Sequence, residues 1–118
     1  MVPVTDTLLM ADLAQQIGLP LLVVGRPDLG TINHTLLTLF AAQARKIPVA
    51  GFLINRMPDN PGLAANSAPE ALAALASADL LGILHQVDGD DKTKVTALSG
   101  QVAGLPGLTR LVGRLNLK

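Results

Sequence analysis

A glycine-bounded loop between an apolar run and a helical pattern carries the first residues with ligand-binding potential. The loop extends from Gly25 to Gly30 and is followed by Thr31 and Asn33. Backbone N–H groups at the start of a helix, together with the helix dipole, attract carboxylate or phosphate. The glycine spacing is that of a phosphate-binding loop, but Thr31 and Ile32 stand where that loop has lysine followed by serine or threonine. Gly30, Thr31 and Asn33 are therefore candidates for binding a carboxylate. The alternative is an ordinary turn, with Thr31 or Asn33 capping the helix.

Other polar side chains differ in how strongly they indicate a site. Asn55 ends a second apolar run, and its carboxamide offers both the donor and the acceptor that adenine requires; the alternative is a strand-end asparagine satisfied within the fold. His34 has no evident carboxylate partner, which favours a structural hydrogen bond over a catalytic base. Asp88, Asp90 and Asp91 lack the rest of a calcium-loop pattern, so we expect a solvated loop there. The sequence thus predicts no metal site.

Composition restricts the class of protein. The chain has 118 residues, of which 49% are hydrophobic and 15% charged, and nine basic residues balance nine acidic ones. This balance, with no Trp or Tyr, argues against nucleic-acid binding. No apolar run has the length of a membrane span, and the first residues do not form a signal peptide. The absence of cysteine fits a reducing compartment, so we expect a cytoplasmic protein.

Three apolar runs alternate with helical patterns at the spacing of βαβ units. Continuous apolar strands are covered on both faces, which predicts an α/β fold with a parallel sheet and flanking helices. The predicted strands are Leu21–Val24, Val49–Ile54 and Leu80–Leu84, with Val2–Val4 as the tail of another. The predicted helices are Asp6–Ile17, one from Ile32 to Ala44, one from about Asn66 to Ser77, Val95–Val102 after a loop over Asp88–Lys94, and Leu108–Leu115.

Several of these segments together resemble the C-terminal half of the dethiobiotin synthetase family. The matching residues are Gly25, Leu29-Gly30-Thr31-Ile32-Asn33-His34, Ala50-Gly51 with Asn55, and Leu81-Gly82-Ile83-Leu84. The resemblance implies a P-loop nucleoside triphosphatase fold and a homodimer. It also implies that ATP, Mg²⁺ and CO₂ are used to close the ureido ring of dethiobiotin on 7,8-diaminopelargonic acid, in biotin biosynthesis.

The resemblance also implies roles for individual residues. Asn55 and Arg56, and on the next strand His85, Gln86 and Val87, would bind adenine, although the family usually has proline at the position of His85. The loop residues Gly30, Thr31 and Asn33 would contact the substrate carboxylate across the dimer. The family's P-loop lysines and its magnesium-binding Glu-Gly-Ala-Gly-Gly segment do not occur in this sequence. We therefore expect residues 1–118 to form a single partial domain without catalytic or metal-binding residues, completed by a homodimer partner or a complementary N-terminal half.

Two alternatives remain open at this stage. The high apolar content would also suit a truncated, non-catalytic interaction module. A related P-loop amidotransferase, such as cobyrinic acid a,c-diamide synthase, shares the fold, and a fold does not determine the substrate.

Overall fold

The computed structural model describes residues 2–116, which form three strands and five helices. The strands are β1 (Leu21–Gly25), β2 (Val49–Met57) and β3 (Leu80–His85). The helices are α1 (Met10–Ile17), α2 (Thr31–Ala44), α3 (Leu63–Leu75), α4 (Asp91–Ala103) and α5 (Leu108–Arg114). Both β1 and β3 pair with β2 in parallel, in the order β1-β2-β3. The predicted α/β fold is confirmed.

Helices pack on both faces of this sheet around β2, which explains the continuous apolar run at the start of that strand. On one face, Phe52 and Ile54 of β2 pack with Leu39 of α2 and Leu72 of α3. The opposite face belongs to α5 and the segment before it. There, a second cluster joins the middle of the sheet to the C-terminal helices: Ala50, Leu53, Leu81, Leu84, Leu105 and Leu111. β2 is therefore the central strand of the sheet and contributes to the hydrophobic clusters on both of its faces.

The beginnings of three helices differ from the sequence-based expectation. The prediction that Thr31 or Asn33 caps α2 is wrong, because the cap position is Gly30 in the left-handed conformation (φ 90°), without a side-chain cap. α1 starts at Met10 instead of Asp6. At this start, the Asp12 carboxylate accepts a hydrogen bond of 2.7 Å from the N–H of Leu9, the residue before the helix. α3 starts at Leu63, one turn early, and Pro69 lies inside it.

Two further expectations near the chain ends also need correction. Val2–Val4 is not a strand, because this segment makes only an isolated antiparallel bridge between Pro3 and Leu9. The predicted loop over Asp88–Lys94 already enters α4, since Asp90 caps that helix and accepts from the Thr93 N–H at 2.8 Å. Hydrogen bonds from Thr93 lower the pKa of the Asp90 carboxyl.

α1 lies against α2 at the edge of the domain. The Asp12 carboxylate accepts hydrogen bonds from the Leu9 N–H and the Arg45 guanidinium, and these, in that order, lower its pKa. A largely apolar groove of about 720 Å³ remains between the two helices. Phe40 on α2 and Val24 on β1 are more than half exposed, at 68% and 54%. Among residues 2–116, β1 pairs with β2 alone, so its other edge is open.

Candidate functional site

The segments that follow the three strands meet at one edge of the sheet. Because the strands are parallel, their carboxyl ends point the same way, and open α/β sheets bind ligands at such an edge. Met57 of β2 pairs with His85 of β3, so the last residues of these two strands are neighbours. A cavity of about 220 Å³ opens between the three loops. The residues that line it are Arg26, Pro27, Asp28, Arg56, Pro58 and Gln86.

Arg56 forms the β2 wall of this cleft, and Asn55 directly precedes it. Arg56 has a φ of 65°, a left-handed conformation that costs a residue with a Cβ about 1 kcal/mol. The Asn55 Oδ1 accepts a hydrogen bond from the Arg56 N–H at 2.9 Å, which fixes the orientation of the carboxamide. Asn55 is half-buried and does not line the cavity, whereas Arg56 does. A carboxamide oxygen has two lone pairs, so one acceptor site and the NH₂ donors remain for a ligand.

His85, Gln86 and Val87 continue from β3 on the other side. The Gln86 N–H donates to the Met57 carbonyl at 2.9 Å, which joins this segment to the end of β2. Of the three residues, Gln86 lines the cavity, while the His85 side chain is exposed and Val87 is half-buried. The structure thus brings Arg56 and Gln86, both predicted from the sequence, to one cleft.

The third wall was not anticipated from the sequence. It consists of Arg26, Pro27 and Asp28, which follow β1, and Pro27 is buried. Arg26 and Asp28 form an ion pair at 3.8 Å, but both side chains are at least 70% exposed, so the pair is weak. Their position directly after the first apolar run was the signal available, because parallel strands end at a common edge. The cleft is thus lined by two arginines, Arg26 and Arg56, and by the one carboxylate of Asp28.

The loop before α2 borders a second cavity of about 410 Å³, on the outer side of β1. Thr31 and His34 line it, whereas Asn33 is exposed in the first turn of α2 and does not. The Thr31 N–H already donates to the Asp28 carbonyl at 3.0 Å. The donors left for a ligand are therefore the N–H groups of Ile32 and Asn33, which follow in the first turn.

A metal-binding group is not evident in the described part of the chain. Between residues 2 and 116, no three His, Cys, Asp or Glu side chains are grouped so as to hold an ion. None of the helices in this range is long and apolar enough to cross a lipid bilayer.

The parallel sheet with flanking helices defines an α/β domain of the P-loop NTPase-like class, and comparison with known proteins agrees with this. A family model described as "AAA domain" matches residues 1–93, and the chain belongs to this family. Among curated proteins, it is similar to enzymes named ATP-dependent dethiobiotin synthetase BioD. That of Bacillus velezensis is 40% identical over 87 residues, which are 74% of this chain and 37% of the relative.

Two further relatives carry the same name. The enzyme of Bacillus subtilis is 32% identical over 112 residues, 95% of this chain and 48% of its own length. That of Thermodesulfovibrio yellowstonii is 44% identical over 85 residues, 71% of this chain and 35% of its own length. The resemblance to dethiobiotin synthetase is thus confirmed over most of the sequence. The chain spans between about a third and a half of the length of these relatives.

Proposed function

We propose that this chain supplies the nucleobase side of an ATP-dependent dethiobiotin synthetase. That enzyme would close the ureido ring of dethiobiotin from 7,8-diaminopelargonic acid and CO₂. The observation that carries the proposal is the meeting of Arg56 and Gln86 at one cleft on the carboxyl edge of the sheet, beside the oriented carboxamide of Asn55. The names of the relatives in the comparison support the use of ATP.

The carboxamide of Asn55, beside the cleft, is complementary to adenine. Adenine presents a donor, its exocyclic amine, next to a ring-nitrogen acceptor, and the Asn55 carboxamide presents the complementary acceptor and donors. Arg56 would lie at the same end of the cleft, and the backbone of His85, Gln86 and Val87 would form the opposite wall. This assignment leaves the triphosphate to residues outside the 118 described by this sequence, which has no phosphate-binding lysine motif.

Magnesium does not fit the residues that the structure describes. Asp28 is the only carboxylate among the residues lining the cleft, and residues 2–116 contain no group of three acidic or imidazole ligands. If the whole enzyme uses Mg²⁺ with ATP, as the resemblance implies, its ligands lie elsewhere.

Adenosine binding followed by NMR tests the proposal. The uniformly ¹⁵N-labelled chain is titrated with adenosine and, separately, with guanosine. We expect millimolar affinity for adenosine, because a nucleoside lacks the phosphate contacts, and shifts confined to the Asn55 side-chain amide and the backbone amides of Arg56, Gln86 and Val87. Equal binding of both nucleosides, or shifts located away from these residues, would contradict the proposal.

A single substitution sharpens this experiment. Asn55→Asp keeps an oxygen that accepts from the Arg56 N–H but replaces the amide donors by a second acceptor. Since guanine presents two adjacent donors on its pairing edge, the preference should reverse from adenosine to guanosine. Asn66→Asp, at an exposed site on α3, is the matched control and should leave the preference unchanged.

We further propose that the loop of Gly30, Thr31 and Asn33 binds the carboxylate of the diamine substrate. The N–H groups of Ile32 and Asn33 and the positive end of the α2 dipole support this role. Titration with 7,8-diaminopelargonic acid should shift these two amides. An unchanged spectrum in this loop, while other residues respond, would exclude it as the carboxylate site.

The open edge of β1 suggests how the chain is completed. We propose that a P-loop-bearing polypeptide adds to the sheet there and covers the exposed Leu22 and Val24. Co-sedimentation of this chain with the N-terminal half of the Bacillus subtilis relative should give a heterodimer, and two separately sedimenting species would refute it. Homodimer formation and a cytoplasmic location stay predictions.

A further inference from the structure

The end of β3 is hydrogen-bonded to a glutamine of α4, the helix that follows it. The His85 N–H donates to the Oε1 of Gln101 at 2.6 Å, and the Gln101 Nε2 donates to the His85 carbonyl at 3.3 Å. Gln101 lies on α4, sixteen residues further along the chain. A single carboxamide thus pairs with both polar groups of one backbone residue, as a neighbouring strand would.

This arrangement fixes the peptide group that leads into the cleft. In a trans peptide, the carbonyl of one residue and the N–H of the next point in opposite directions. The His85 carbonyl accepts from Gln101, and the Gln86 N–H on the other side donates to the Met57 carbonyl at 2.9 Å. The peptide between His85 and Gln86 is therefore bound from both sides, by α4 and by β2.

The bonds matter because β3 is the last strand of the described sheet on this side. Backbone groups on an open strand edge otherwise bond to water and adapt to whatever approaches them. Gln86, the residue directly after this peptide, lines the cleft with Arg56. The position of the Gln86 wall relative to the Arg56 wall thus depends on Gln101, a side chain that does not line the cleft.

We propose that Gln101 is a positioning residue that sets the base preference of the cleft by holding the His85–Gln86 peptide in place. This inference rests on the proposed adenine-binding function. Hydrogen bonds to the edge of a nucleobase require the two walls of the cleft to lie at a fixed separation. Weak, non-selective contact with a nucleoside does not. Loss of Gln101 should therefore weaken the preferred nucleoside more than the other.

The test compares adenosine and guanosine binding by ¹⁵N NMR in three variants of the full chain. Gln101→Met keeps the length of the side chain and removes both hydrogen bonds. We expect adenosine to bind about fivefold more weakly while guanosine affinity changes less than twofold, about the effect of one or two net hydrogen bonds. Gln101→Glu keeps the acceptor for the His85 N–H and should show a smaller loss. Gln16→Met, at an exposed site on α1, is the control and should match the parent chain.

The outcomes separate this inference from the function on which it rests. If the parent chain shows no preference for adenosine, the proposed function fails and the role of Gln101 fails with it. If the parent prefers adenosine and Gln101→Met keeps the same ratio of affinities, the positioning role alone is refuted, even where the melting temperature falls. If Gln101→Met does not fold, Gln101→Glu decides, since a ratio equal to that of the parent in this variant would also refute the role.

Discussion

Replacing Gly107 by alanine tests how closely α5 must approach the sheet. Gly107 precedes α5, is buried, and donates its N–H to the Leu81 carbonyl at 2.9 Å. A Cβ at this position would lie 2.6 Å from both the Cα and the carbonyl oxygen of Leu81. Because ordinary contacts begin near 3.4 Å, the start of α5 would have to move by about 0.8 Å.

That movement is costly because Leu81 cannot yield. It is 1% exposed and belongs to the cluster that joins β2 and β3 to Leu105 and Leu111. Overpacking costs about 1–3 kcal/mol, and loss of the Gly107 hydrogen bond adds about 1 kcal/mol. We therefore expect Gly107→Ala to lower the free energy of unfolding by about 2–4 kcal/mol, a large share of the stability of a small domain.

Urea unfolding followed by circular dichroism measures this loss. With a slope of about 2 kcal/mol per M, the midpoint should fall by about 1–2 M. Gly113→Ala is the matched control, because Gly113 is exposed on α5 and a Cβ there would have nothing within 4 Å. This variant should raise the stability by about 0.5–1 kcal/mol through helix propensity. A midpoint for Gly107→Ala within about 0.3 M of the parent would refute the close approach of α5 to β3.

Three further predictions concern charged residues. Because the Leu9 N–H and then Arg45 lower the pKa of Asp12, its contribution to stability is present above the ordinary pKa of an aspartate, about 3.9, and is lost as the pH falls through the lower folded-state value. Acid titration of the hydrogen-exchange protection of α1 should show this loss, and Asp12→Asn should remove it; an unchanged profile would contradict the assignment. Arg56→Gly should raise the free energy of unfolding by about 1 kcal/mol, because glycine adopts a positive φ without strain, and an unchanged or lower urea midpoint would argue against the left-handed conformation. Asp90→Ala removes the cap of α4 and should speed amide exchange in its first turn, whereas equal exchange would show that the cap contributes nothing.

The sheet could be predicted from the sequence because its strands are apolar runs, and the central one, β2, is buried on both faces. Each apolar run coincides with a strand, and β2 and β3 extend only slightly beyond the predicted ends. The helix starts were less predictable, since each depends on something outside the local pattern. α2 begins after Gly30, which is in the left-handed conformation. The start of α1 is stabilised by the Asp12 carboxylate, which accepts from the Leu9 N–H. α3 starts at Leu63, earlier than predicted, and its first turn includes Ala65, which packs into the core.

The candidate site was predictable where it depends on strand ends. Arg56 and Gln86 follow apolar runs, and both line the cleft. Pro58 and the loop after β1 belong to the same edge, but a sequence pattern does not show which loop residues turn inward. Gln101 was not predicted, because its contact with His85 depends on the direction in which α4 crosses the side of β3. The roles of Asn55 and of the loop at Gly30 stay predictions.

The spatial order of the strands, β1-β2-β3, repeats their order along the chain. During synthesis, β2 therefore follows β1, with which it pairs, and β3 follows β2. Each pairing closes a single βαβ connection, which costs less loop-closure entropy than the pairing of strands further apart in the chain. The cleft, whose three walls follow the three strands, is complete only when the last of them docks, so a nascent chain would acquire structure well before it acquires any capacity to bind nucleoside.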